Sequence, residues 1–220
     1  MRPEFDAELA TLEAELQEAG TATVQGIHGA LVALQDWEPG VLDYLSGLDD
    51  RVDTVYRQIE RDVEMLIARQ APVATDLRIV LGVLQTNAHV ERMSHNCVRI
   101  GRLAAPIDGE HTPRDLVTHL EPALLRGADM TRAALDAFAL RDVAAARALP
   151  DMDELVDRET AALVMATLVR GPGEWSTRSI FLARCAERIA DHAVKIAEQA
   201  VYVVTAERVD FTTSPGASAT

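Results

Sequence analysis

Apolar residues recur near the C-terminal end at Ile180, Ala183, Ala190, Val194, Ala197, Val201 and Val204. That i, i+3, i+4, i+7 rhythm marks one face of an α-helix. Glu187 stands on the same stripe. Asp191 lies one turn on, at i+4, and projects the same way. Two carboxylates on a core-facing stripe are costly unless something compensates their charge. An earlier stripe, set by Leu77, Leu81, Leu84 and Ala88, continues through Glu91, His95 and Val98. Glu91-Arg92-Met93-Ser94-His95 and Glu187-Arg188-Ile189-Ala190-Asp191 are thus two copies of one device. They stand 187 − 91 = 96 positions apart, close to half the chain, which indicates an internal duplication.

The same periodicity predicts six helices. The first runs from about Glu4 to Gln35, with Leu9, Leu12, Leu16, Thr23, Ile27, Ala30 and Leu34 on its stripe, and Trp37-Glu38-Pro39-Gly40 breaks it. The second runs to about Gln70, with Leu45, Val52, Ile59, Val63 and Leu66 facing inward. Asp49 and Tyr56 lie on that stripe, and Asp53 is one turn after Asp49. Ala71-Pro72 interrupts the chain because Pro lacks an N–H and crowds the preceding turn. Thr75 or Asp76 is expected to cap the restart. The third helix fades near Arg102, and residues 105–111 read as a linker. Thr112-Pro113-Arg114-Asp115 reads as a helix start, with Thr112 capping and Pro113 at the first position. The fourth helix runs to about Leu140. The fifth covers about Asp142 to Val169, kinked at Pro150, with Asp153 and Asp157 one turn apart. Gly171-Pro172-Gly173 is a tight loop, and the sixth runs from about Trp175 to Glu207. Trp37 and Trp175, at helix ends, are expected to close the bundles.

The chain is therefore expected to be all-α: two tandem three-helix bundles, at 1–105 and 112–207, with a disordered tail at 208–220. Each half carries an acid pair on its second helix (Asp49/Asp53, then Asp153/Asp157). Each carries another pair on its third (Glu91/His95, then Glu187/Asp191). Short loops make neighbouring helices antiparallel, so facing pairs can converge.

Composition narrows the partners. There are 21 Lys and Arg against 35 Asp and Glu, a net charge of −14. That balance argues against binding nucleic acid or an anionic membrane through bulk electrostatics, and leaves only a local basic patch open. No apolar run is long enough to span a bilayer, and Met1-Arg2-Pro3-Glu4-Phe5-Asp6 lacks a signal-peptide apolar region. Cys97 and Cys185 have no framework or CxxC spacing, which suits a reducing cytoplasm and a packing role.

Two chemistries compete for the acids. One is oxygen ligation of a cation such as Fe, Mg, Mn or Zn. The other is ion pairing, with Arg158, Arg184, Arg188 and Lys195 within helical reach. His95 is either a ligand or a core histidine, and His192 is a solvent or supporting residue. A ferritin-type di-metal enzyme would need Glu-x-x-His on bundle helices. The residues three before the six histidines are Gln25, Thr86, Arg92, Asp108, Leu116 and Ile189, and the one acid, Asp108, lies in the linker. No nucleophile–base constellation or Gly-rich phosphate loop is present. A metal-free helical scaffold is the third reading; in it Asp153, Asp157, Glu187 and Asp191 pair only with Arg and Lys.

The segment Ala68-Arg69-Gln70-Ala71-Pro72-Val73-Ala74-Thr75-Asp76-Leu77-Arg78 resembles the "RQxPvAxDLR" signature of the PhoU family, the phosphate-specific transport regulators. Glu187-Arg188-Ile189-Ala190-Asp191-His192-Ala193 is similar to its "ERigDhA" signature, and 200–205 to the ending that follows. The resemblance reaches to about Glu207 and implies two three-helix bundles related by pseudo-symmetry. It implies a non-enzymatic negative regulator of phosphate uptake and phosphate-regulon signalling in the cytoplasm. Such a protein links the phosphate ABC transporter ATPase to the sensor histidine kinase, as a homodimer. It also implies metal at the acidic helix faces, by position Asp49, Asp53, Glu91, Asp153, Asp157, Glu187 and Asp191. His95 stands where the family has Asp, Tyr56 where some members carry a further acid, and Ala206 where a Gly often follows Val-Thr.

Overall fold

In a computed structural model that describes residues 3–211, helix α1 spans Pro3–Gln35, α2 Pro39–Gln70 and α3 Ala74–Leu103. Helix α4 spans Arg114–Leu140, α5 Val143–Arg170 and α6 Glu174–Thr205. Among the described residues there is no strand, only an isolated bridge between Ile107 and Glu110. The breaks fall where Pro and Gly place them. Pro39 opens α2, and Ala71 closes it in a left-handed conformation, its N–H bonded to the Ile67 carbonyl. Gly171 takes φ +87° after α5. Helix α5 continues through Pro150.

The caps differ from those expected. Helix α3 begins after Val73, so Thr75 and Asp76 lie inside its first turn, where the Thr75 hydroxyl accepts from Arg78 (2.9 Å). Pro113 precedes α4, and Thr112 donates to the Ala104 carbonyl (3.5 Å) instead of capping. The side-chain cap falls on α5, where Asp142 Oδ1 accepts from the Ala145 N–H (2.9 Å). In the linker, Asp108 (φ 51°) and Gly109 (φ 85°) make a tight turn of the Asp-Gly kind, closed by two Ile107–Glu110 backbone bonds. From α6, Arg178 donates to the Leu103 and Ala105 carbonyls, satisfying acceptors that the end of α3 leaves open.

Helices α1, α2 and α3 pack on one another, as do α4, α5 and α6. Two further contacts, α1 with α4 and α3 with α6, join the halves, and one apolar core runs through both. At these seams small residues admit close approach. A Cβ on Gly82 would stand 2.6 Å from Val203 Cγ1 and 3.1 Å from a Phe138 ring carbon. The outer helices α2 and α5 touch only the two neighbours in their own half.

This packing decides which sequence stripes are the core. In α2 the buried residues are Leu45, Val52, Ile59, Val63 and Leu66, the five expected. In α3 the stripe is displaced: Leu77, Leu81, Leu84 and Ala88 are only partly buried, while Val80, Val83, Val90, Met93, Cys97 and Ile100 form the core face. Helix α3 packs against α1, α2 and α6, so its buried arc is wide and the acid stripe lies along its margin. In α6, Ile180 and Val204 are exposed for the same reason, while the arc from Ala183 to Val201 is buried. Both cysteines are buried, and burial pushes both thiols up.

Trp37 donates to the Gly101 carbonyl (3.2 Å), and Trp175 is buried at the start of α6. Helix α6 ends at Thr205, and the chain turns at Ala206 (φ 64°) back along the helix. Residues 208–211 were expected in a disordered tail, yet Val209 and Phe211 pack on the core. The Phe211 N–H bonds Glu198 Oε1 (2.9 Å). The rest of that expected tail, 212–220, lies outside the described residues.

Candidate metal centre

Because α2 and α3 are antiparallel neighbours, the i, i+4 pairs Asp49/Asp53 and Glu91/His95 meet at the margin of their interface. His95 is the hub. Its Nδ1 lies 3.2 Å from Glu91 Oε1 on its own helix, and its Nε2 lies 3.6 Å from Asp49 Oδ2 and 3.4 Å from Asp53 Oδ1 on the facing one. The side chain is 48% exposed, so His95 is not a core histidine. Ser94, the preceding residue, points inward and donates to Asp49 Oδ1 (2.7 Å), fixing that carboxylate.

Burial pushes the Asp49 carboxyl above the ordinary range, against the lowering effects of Ser94 and His95. Burial likewise raises Glu91, with His95 opposing and Asp53 and Asp49 adding repulsion. Tyr56 donates to Glu60 Oε1 (2.7 Å), which with burial raises the phenol.

The second group is built from α5 and α6. Asp153, Asp157, Glu187 and Asp191 lie close enough to repel one another. Burial, then Asp157, Asp191 and Glu187, raise Asp153 to about 6. Asp157 is raised by burial and by Glu187, and Asp191 by burial and by Asp157 and Glu187, with Arg184 opposing in both. Glu187 is held by the Thr160 hydroxyl (3.0 Å) and by Arg184 (3.0 Å). Of the other expected counter-ions, Arg158 pairs with Glu154 and Lys195 with Glu198 and Asp210. Arg188 makes no salt bridge among the described residues. Four carboxylates thus share one directly bonded cation.

The donor sets suit cations of different character. The second is all oxygen, as hard cations prefer. The first adds an imidazole. Among the described residues, Asp49, Asp53 and His95 are the one group in which three ligand atoms lie within 4.8 Å of one another. The His95–Asp separations, 3.4 and 3.6 Å, approach the spacing of about 3.4 Å between ligands of a tetrahedral ion with bonds of about 2.0–2.1 Å. The group with His in place of Asp is therefore the more tightly assembled of the two, although the second keeps all four acids.

Sequence reading missed the residues that hold these acids. Ser94 and Thr160 carry a local signal, one residue from His95 and three from Asp157. His192 is not a solvent residue: its Nδ1 lies 3.2 Å from that of His89 across the α3–α6 seam. No spacing within either half announces that contact.

A family model described as the PhoU domain matches residues 16–104 and 126–200. The phosphate-specific transport system accessory protein PhoU homolog of Pseudomonas aeruginosa is 30% identical over 210 residues, covering 91% of this chain and 85% of that protein. Its counterpart from Clostridium acetobutylicum is 26% identical, covering 94% and 97%. The crystal structure of PhoU from Pseudomonas aeruginosa superimposes with TM-score 0.85 at 27% identity, covering 92% of this chain and all of that one. That of the phosphate transport system regulatory protein PhoU from Streptococcus pneumoniae, at 24% identity, shares the fold with TM-score 0.83. No helix among the described residues is long and apolar enough to cross a membrane. With the matched segments falling on both copies of the internal repeat, the chain belongs to the PhoU family.

Proposed function

We propose that this chain is a non-enzymatic negative regulator of phosphate uptake and phosphate-responsive signalling. It acts in the cytoplasm as an adaptor between the ATPase of a phosphate ABC transporter and a sensor histidine kinase, and it works as a homodimer. The observation that carries this reading is likeness over nine-tenths of the chain to an accessory protein of phosphate-specific transport. Six helices, with no catalytic constellation among the described residues, suit an adaptor, whose long faces offer grooves to partner helices.

In this reading Asp49, Asp53, Glu91 and His95 hold one cation, and Asp153, Asp157, Glu187 and Asp191 hold another. A divalent cation, when bound, supplies charge neutralisation at carboxylates that burial and mutual repulsion hold above their ordinary range. The chain's part is to present the donors. Asp49 is oriented by Ser94 and Glu187 by Thr160, and each group spans two helices. The metal-free scaffold draws on the Arg184–Glu187 pair (3.0 Å) and on the contacts of His95 with three carboxylates.

Two experiments test the proposal. Deleting the gene should derepress a phosphate-controlled reporter in high phosphate, and tagged protein should capture the ATPase and the kinase. A repressed reporter in the deletion strain sinks the regulatory reading. Elemental analysis of wild type beside Asp191→Ala and Glu91→Ala tests the cations separately. Loss of metal in a variant assigns its group, and metal-free wild type after supplementation leaves the acids as ion pairs.

A further inference from the structure

Between α3 and α6, on the seam joining the two halves, lies a cleft of about 510 Å³. Four arginines line it: Arg92 and Arg99 from α3, Arg184 and Arg188 from α6. Asn96 and His192 form part of its wall. The lining comes largely in repeat mates: Arg92 with Arg188, His95 with Asp191 and Asn96 with His192, each 96 positions apart, as in 188 − 92. The cleft therefore sits where the internal symmetry brings the two copies together.

In a chain with 35 acidic and 21 basic residues, arginines should find carboxylates easily. Here, among the described residues, Arg92, Arg99 and Arg188 make no salt bridge. Arg99 is oriented over the Phe181 ring (5.8 Å) and not by an acid. Arg184 reaches Glu187, and Asp191 is the one carboxylate in the lining. Like charges left together without partners cost energy that an incoming anion would relieve.

The dimensions set the class of anion. Arg92 and Arg99 stand two turns apart, about 10 Å along the axis, and Arg184 and Arg188 one turn apart, about 6 Å. Pockets of about 300–1,000 Å³ hold molecules of drug size, so the cleft exceeds what one tetrahedral oxyanion fills. Guanidinium groups recognise phosphoryl oxygens through paired N–H donors. The net charge of −14 disfavours a long polyanion, which would extend beyond the local positive field.

We propose that this cleft binds a small anion carrying two or more linked phosphoryl groups, its charge shared by Arg92, Arg99 and Arg188. Two sources carry that chemistry: a bare diphosphate and a nucleoside polyphosphate. The inference concerns the isolated chain and stands apart from the regulatory reading, whatever partners the protein has.

Isothermal titration calorimetry of the full chain, with chelator present, tests it using inorganic phosphate, pyrophosphate and ATP. The expected result is that pyrophosphate, ATP or both bind at least about tenfold tighter than phosphate, and less tightly at higher salt. Equal affinity for pyrophosphate and ATP assigns the bare phosphoryl groups as the ligand, and preference for ATP assigns the nucleotide. The pair Arg92→Gln and Arg188→Gln should weaken binding at least about tenfold. Arg147→Gln, the same charge change on exposed α5, should leave it unaltered. Arg99→Gln alone repeats the test should the double variant melt early. Affinity no better than for phosphate, or equal losses in the Arg147→Gln control, overturns the proposal. So does binding indifferent to the cleft arginines.

Discussion

His89 and His192 face each other Nδ1 to Nδ1 at 3.2 Å across the α3–α6 seam, so one ring donates and the other accepts. The pair breaks the internal symmetry, since its repeat mates are Cys185 and Asn96. Burial lowers both imidazoles to about 4. His192, Arg92 and Lys195 add to the effect on His89, and Arg92 and Arg188 to that on His192.

A folded-state value below the ordinary 6.5 means that the unfolded chain binds protons first as pH falls. The stability this pair contributes is present above pH 6.5 and is lost as pH falls toward about 4. Replacing the pair by His89→Asn and His192→Asn should therefore flatten the acid limb. Denaturant titrations at pH 7 and at pH 4.5 should show the wild type losing about 2–5 kcal/mol more than the variant. Parallel acid limbs would mean that the imidazoles are not buried as a neutral pair.

Asp153 has the opposite sign. Its carboxyl is raised to about 6, so ionising it costs the folded state, and the cost disappears as pH falls below that value. In chelator at pH 7.5, Asp153→Asn should raise stability by about 1 kcal/mol, after allowing for solvent screening of a half-buried group. The gain should vanish near pH 4. With metal present the same substitution should lose stability instead, and urea melts with and without chelator read both arms.

Gly82 admits Val203 and Phe138 at the seam. Gly82→Ala should cost about 1–3 kcal/mol, because side chains from α6 and α4 must both give way. Gly47→Ala, on exposed α2 with open space around its Cα, should gain about 0.5–1 kcal/mol from helix propensity. Chemical melts of the two variants beside wild type check the contrast.

Ala206 ends α6 at φ 64°, a conformation that costs an L-residue with a Cβ. Ala206→Gly should stabilise the chain by about 0.5–1 kcal/mol, with a corresponding rise in Tm. No rise would mean that contacts of 207–211 with α6 hold the turn without help from its backbone.

Much of this architecture is legible in one sequence because helix ends are written in Pro and Gly, and because α2 and the two acid pairs keep a clean period. Caps were harder. Thr75 and Thr112 have the chemistry of caps, but the chain enters α3 at Val73 and α4 at Pro113, and Thr112 bonds the Ala104 carbonyl instead. The α3 stripe misled because periodicity marks one face, whereas α3 is covered by three helices. The acids were placed by spacing, but Ser94, Thr160 and the His89–His192 contact depend on which helices meet. The arginine cleft was hidden for the same reason: its charges come from segments nearly a hundred positions apart.

The placement of the acid groups has a mechanical side. Helices α2 and α5 bury only five and six residues, against seventeen for α6. They are the covers of the molecule, each resting on two neighbours. Asp49 and Asp53 ride on one cover, Asp153 and Asp157 on the other, and their partners ride on the central helices. A cation held at either group would therefore act as a latch, setting how readily that cover lifts while the central helices stay locked together.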